Sequence, residues 1–380
     1  MTSSYPELRG CRPPAFLSRK YGSIRALLED VARRGQETLP PLDIGKFIGS
    51  FPTVESAFAA TAGELASALG TAFESATRYR AILQRLMIWE DMDEVAATLS
   101  RIFDQVIVDM PRRLKDVEEG GGGRDVLDPF IVGFASRLLS SGSVPDLLRL
   151  LIAHKCMMKL EDLIGHLHEE TLGRAAGAER VPEPQGVADA SGRRNKEVWH
   201  PTLNPYPGAD ARHGESEFYQ IKNKTGSAKG SDGEKLGRQF QELAEHYPES
   251  SRYYVSMIGR TLSGHRSMGA FLRNDPGAEV LVGLSAFQQL GQHRDTPDII
   301  LELYLETFEE ALKRNHYDYE RIVAEITHEW VEKHGSDDPI QALVQDMILP
   351  SDRSGANQSS RTYQSGVRRG RRGEQLPEER

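Results

Sequence analysis

The sequence predicts an α+β protein: a helical first half, then a half in which short strands alternate with helices. Three observations carry this. Apolar residues recur at three- and four-residue spacing from about 22 to 118 and again over 126–172. Beyond a polar, proline-broken stretch at 174–195 come three short β-type runs, 217–224, 253–260 and 279–284, with helical spacing between and after them. With 38% hydrophobic and 27% charged residues, the chain of 380 has material for a sizeable core, which excludes disorder as a description of the whole.

The elements follow in order. Residues 1–20 contain Pro6, Pro13 and Pro14 and read as an irregular arm. Ile24, Leu27, Leu28 and Val31 share one helical face, and Phe51 to Leu69 is Ala-rich and amphipathic. Arg78 to Ile88 carries Ile82, Leu83, Leu86 and Met87, with Trp89 at its end. Val95 to Val108 sets Leu99, Ile102, Phe103, Val106 and Ile107 together. Four glycines, Gly120 to Gly123, then break any helix. Ser143 and Pro145 open a long helix as a cap and a first-turn proline do, and it stops near Gly173. The stretch 174–195 reads as a loop or linker. Glu234 to His246, with Leu236, Phe240 and Leu243 in register, bridges two β-type runs, and Ile299 to Leu312 and Tyr319 to His334 are two further helices. After Pro350 the chain turns to Ser, Gly, Gln and Arg and is expected to be disordered. At roughly 100–200 residues per domain, the expected division is a helical domain over 1–145, a second domain over 146–350 and an Arg-rich tail over 351–380.

Composition narrows function. Two cysteines, Cys11 and Cys156, exclude a disulfide scaffold and a multi-Cys zinc module, and they suit a reducing, cytoplasmic setting. No apolar run approaches the ~18 residues of a membrane span. The net charge of −9 argues against a nonspecific nucleic-acid coat, though not against a local basic groove.

Chemistry concentrates in NPYPGADARHGESEFYQIKNKTGSAKG, 204–230. Asp210 follows a Pro-Gly turn. Ten residues on, Gln220 and Lys222 share one face of an alternating strand. A hairpin between the two would bring a carboxylate, an amide oxygen and an ammonium together. That set suits a hydrolytic Mg²⁺ site. Asp210 and Gln220 would be oxygen ligands, and Lys222 would orient water and offset charge building on a phosphate. A second stretch, 251–274, holds Arg252, Arg260, Arg266 and Arg273 with no acid before Asn274, and His265 among them. A strand running into a Gly/Ser/Arg loop suits contact with phosphates and base edges.

The Pro207-Gly208-Ala209-Asp210 turn and Gln220-Ile221-Lys222, with Asn223, Lys224 and the Gly/Ser loop behind them, resemble the PD-(D/E)xK nuclease core of many type II restriction endonucleases. The helical half before the core is similar to the BsaWI-like enzymes. Gln220 stands where the family usually has an acid, as in its QxK variants. The resemblance implies a mixed β-sheet nuclease core flanked by helices and preceded by a helical domain for DNA contacts, dimerisation or both. It implies a third acid on the preceding helix, for which Glu161 is the first candidate and Glu169 the second. It further implies Mg²⁺, double-stranded DNA cut at a short specific site, DNA contacts from Lys224, Arg252, Arg260, His265 and Arg266, and a homodimer. A cognate DNA methyltransferase would be encoded separately. The same core serves nucleases without sequence specificity, and the missing charge at 220 leaves room for a decayed nuclease that acts as an interaction protein.

Overall fold

The structure, a computed structural model, describes residues 13–118, 129–138, 143–188, 194–224, 230–259, 266–335 and 340–342. The expected tail, 351–380, lies outside them. The chain forms two compact units, Met1–Met110 with Met157–Tyr317, and Pro111–Cys156 with Asp318–Arg380. The described residues form helices, one five-stranded mixed sheet and one two-stranded sheet, so the architecture is α+β. No helix there is long and apolar enough to cross a membrane.

The first unit opens with α1 (Phe16–Tyr21), α2 (Ile24–Gly35), α3 (Ile44–Ser50), α4 (Val54–Ala59), α5 (Ala62–Leu69), α6 (Phe73–Ile88) and α7 (Met92–Val108). Polar side chains cap four of these, α2 to α5. Ser23 accepts from Ala26 N at 3.3 Å and starts α2, and Asp43 accepts from Lys46 N at 2.9 Å and starts α3. The Ala-rich run expected as one stretch is cut in two. Thr61 takes extended backbone, its hydroxyl accepts from Glu64 N at 3.2 Å, and Glu64 accepts from Thr61 N at 2.8 Å. This reciprocal cap outweighs the helix propensity of the flanking alanines.

These helices are not a separate layer. Trp89, fully buried at the end of α6, donates its indole N–H to Thr171 O at 2.8 Å. His293 meets Phe58 O at 3.1 Å. The division therefore differs from a cut near 145: residues through 110 share a unit with the sheet. The second unit holds α8 (Leu114–Glu118), α9 (Pro129–Leu138), the start of α10 (Val144–Leu172) and α15 (Tyr319–His334). There Glu118 accepts from Lys333 and His334 at 2.9 Å each, and Leu114 N donates to Glu329 at 3.0 Å.

The sheet order is β1-β4-β5-β6-β7, with β1 (Glu179–Arg180), β4 (Ala211–His213), β5 (Glu217–Lys224), β6 (Ser251–Ile258) and β7 (Glu279–Val282). Two more strands, β2 (Val187–Ala188) and β3 (Arg194–Asn195), pair apart as a small hairpin. The stretch expected as plain loop thus contributes the edge strand β1. The pairs β1/β4 and β4/β5 are antiparallel, and β5/β6 and β6/β7 are parallel. Parallel neighbours need crossovers, which α11 (Gly230–His246) and α12 (Arg266–Asn274) supply. The second is a correction, because 266–274 was expected as a Gly/Ser/Arg loop. Its apolar face explains the helix: Met268, Ala270 and Phe271 are buried.

The core of this half packs Phe218, Tyr254, Phe240, Leu243, Met268 and Phe271 between the sheet and the two crossovers. Phe240 and Phe271 meet edge to face, centroids 5.3 Å apart. Gly233 permits the approach of α11 to α12, since a Cβ there would lie 2.0 Å from Ser267 O. The unit is completed by α13 (Leu284–Gly291) and α14 (Thr296–Arg314).

Candidate active site

The register of the β4/β5 hairpin builds the site. Ala211 lies opposite Tyr219, so Asp210, one residue earlier, falls opposite Gln220. Asp210 N donates to Tyr219 O at 2.7 Å and continues the ladder. The carboxylate turns onto β5, where Oδ2 accepts from Ile221 N at 2.7 Å and from the Gln220 side-chain amide. The peptide oxygen of Asp210 accepts from Val181 N at 3.0 Å and from Arg180 Nη1 at 2.8 Å. Every polar group of the residue is therefore oriented by its neighbours. The convergence expected of Asp210 with Gln220 and Lys222 is formed, and the strand's period of two is the cause.

These residues line a cavity of about 750 Å³, together with Glu169 from α10 and Lys235 from α11. Glu169 stands near the end of α10. A Cβ on Gly173, one turn further, would lie 2.6 Å from Arg180 Cδ, so only glycine lets the arginine cross the helix end. Glu161 is exposed and does not line the cavity. It lies eight residues before Glu169, about 12 Å along the axis at 1.5 Å per residue. Of the two acids considered on this helix, the second choice faces the cavity.

Electrostatics set this corner apart. Burial pushes the Asp210 carboxyl up to about 7, and the negative charge of Glu169 pushes the same way. Lys222, the Ile221 N–H and Arg180 pull against them. A carboxyl raised by burial in a cavity, with a second carboxyl beside it, marks a candidate functional corner.

No protein-family model matches the chain, and no curated protein matches it in sequence.

The donor set can be tested against Mg²⁺. Among the described residues no group of three or more His, Cys, Asp or Glu side chains gathers as a metal cluster. Mg²⁺ asks for less. It keeps several waters and is held by one or two carboxylates plus substrate phosphate. Asp210 and Glu169, with the Gln220 amide alongside, fit that demand.

The basic residues divide. Arg252 was expected on DNA, and the structure corrects this. Its side chain is 10% exposed and forks onto Asp275, Nε to Oδ2 at 2.8 Å and Nη2 to Oδ1 at 3.1 Å, with Nη1 on Ser250 O at 3.1 Å. With its fork committed to Asp275 and its third nitrogen on Ser250, the buried guanidinium is not presented to a phosphate or base. Arg266 is exposed at the first position of α12. Arg260 and His265, and the side chain of Lys224, lie outside the described residues.

Sequence reasoning missed Arg180, which lay in a stretch taken for a loop. The available signal was its position seven residues after the glycine that ends α10, where a returning chain passes the helix terminus.

Proposed function

We propose that the protein is a Mg²⁺-dependent endonuclease that hydrolyses phosphodiesters in double-stranded DNA at a short specific sequence, as type II restriction endonucleases do. The supporting observation is the convergence of Asp210, Glu169, Gln220 and Lys222 in one sheltered cavity on a β-hairpin. Asp210 and Glu169 would hold the cation, and the Gln220 amide, whose nitrogen now donates to Asp210, would offer its oxygen as a neutral donor on turning. The cation, when bound, polarises the phosphate and favours ionisation of water.

The remaining work belongs to the chain's own groups. Lys222 lies two residues beyond Gln220 on the same strand face, so its ammonium meets the phosphate where negative charge builds during attack. It also orients the attacking water. Water oxygen bonds to phosphorus, the bond from phosphorus to the leaving sugar oxygen breaks, and a proton passes to that oxygen. Arg266 contributes to DNA contact from the start of α12. A two-fold homodimer cuts both strands of a symmetric site, and a separately encoded methyltransferase protects the host's own copies of that site.

The test is incubation of plasmid with Mg²⁺ and either the wild-type protein or Lys222→Ala. Discrete fragments from wild type, and loss of cleavage by about 100-fold or more in the variant with DNA binding retained, are expected for a group acting in the transition state. A smear of products would instead mean a nuclease without sequence specificity. Plasmid left intact by wild type would mean an interaction protein on a nuclease-like scaffold.

A further inference from the structure

Arg180 touches both residues of the proposed metal-holding pair, and its bonds are unequal. Nη1 donates to Asp210 O at 2.8 Å, a full-strength hydrogen bond. Nη2 is shared, 3.5 Å from Glu169 Oε2 and 3.4 Å from Glu170 Oε1. Charge-assisted pairs in good geometry close to about 2.7–2.9 Å. The guanidinium is thus fixed at one nitrogen and loosely paired at the other. Its stem passes close over Gly173. Glu170 has a second cation, Arg174 Nη2, at 3.6 Å, so it stays in place whichever way Glu169 turns.

We infer that Arg180 is a displaceable internal cation, which pairs with Glu169 in the metal-free protein and yields it when a divalent cation binds beside Asp210. The arrangement makes the exchange feasible. Arginine carries its charge at every working pH, so it neutralises Glu169 without metal. On release it keeps the Asp210 carbonyl and Glu170, so no buried charge is left alone. A doubly charged ion at the same carboxylates attracts them more strongly than one shared N–H does. Arg180 is a positioning residue: it sets Asp210 through the peptide oxygen, and it sets the concentration of metal at which Glu169 changes partners. The inference rests on the reading of Asp210 and Glu169 as the metal-holding pair.

The test uses the full chain without DNA and titrates Mn²⁺ alone by calorimetry into wild type, Arg180→Gln and Arg180→Lys. Removing the competing charge should tighten Mn²⁺ binding by about tenfold in Arg180→Gln. Arg180→Lys keeps the charge and should stay within about threefold of wild type. A merely structural arginine predicts the opposite, weaker binding in both variants. Unchanged or weaker binding in Arg180→Gln, with Mn²⁺ still bound by wild type, overturns the inference and leaves the site reading standing. No binding by either protein overturns both. Should Arg180→Gln fail to fold, the Nε–H resonance of Arg180 in wild type, assigned by its loss in Arg180→Lys, decides the matter. It should move as Mg²⁺ is added, and a resonance that stays fixed through saturation overturns the inference.

Discussion

Asp210 and Asp275 both lie against strands of the same sheet and both have a basic side chain within reach, yet they end in different chemistry. Asp275 is 3% exposed and takes both donors of the Arg252 fork, with Gly277 N adding a bond at 3.2 Å. One negative and one positive charge are matched in a closed geometry. Asp210 has an arginine too, but Arg180 bonds its peptide oxygen and not its carboxylate. The carboxylate receives one backbone N–H and an amide, and it faces Glu169. Lys222 and Arg180 favour its charged form through space, without the two-donor fork that Asp275 has. A buried ion pair closed by a two-donor fork is structure, whereas a carboxyl that no cation clasps directly retains capacity for one.

The largest effect is expected at the closed pair. Arg252→Ala leaves Asp275 buried and unpaired, and should cost roughly 3–5 kcal/mol in urea denaturation. The double change Arg252→Met with Asp275→Leu should recover most of that loss, since two apolar groups can replace a buried pair. Preserved stability in Arg252→Ala would mean that the pair is not the buried contact described.

The open corner is sharpened by its second acid. Glu169→Gln should raise the Mg²⁺ concentration needed for half-maximal cleavage by at least ~10-fold. Glu161→Gln, on the exposed part of the same helix, should leave it unchanged. The reverse pattern would move the third ligand back to Glu161.

The smallest expected effect is on pH. A carboxyl whose pKa is higher in the folded chain than in the unfolded one stabilises the fold at low pH, and loses that contribution as pH rises through the folded value. For Asp210, raised to about 7 mainly by burial, that window runs from about 4 to somewhat above 7. In EDTA, wild type should therefore lose a few degrees of melting temperature across it that Asp210→Asn does not, and the variant should melt higher at pH 8. Parallel pH profiles would show that the carboxyl is not held in a charge-averse setting.

Local periodicity made part of the fold and the site legible. The period of two in EFYQIKNK put Gln220 and Lys222 on one face, and the Pro-Gly turn placed Asp210 within reach of a hairpin. The apolar spacing of Glu234 to His246 marked the crossover helix, and the β-type runs at 217–224, 253–260 and 279–284 marked β5, β6 and β7. Helix breaks set by caps were less legible, as at Thr61, because one side-chain hydrogen bond there opposes a run of favourable residues. Tertiary structure decided the rest. It chose Glu169 over Glu161, since both are acids on one helix and only the docking of the helix end selects between them. It took Arg252 out of any DNA surface by supplying Asp275 from 23 residues away. It brought Arg180 from a supposed loop to the sheet edge, where Gly173 leaves it room. Charge and residue type are local properties of the chain. Which charges end up matched depends on long-range packing, and that decides whether a buried ionisable group is structural or reactive.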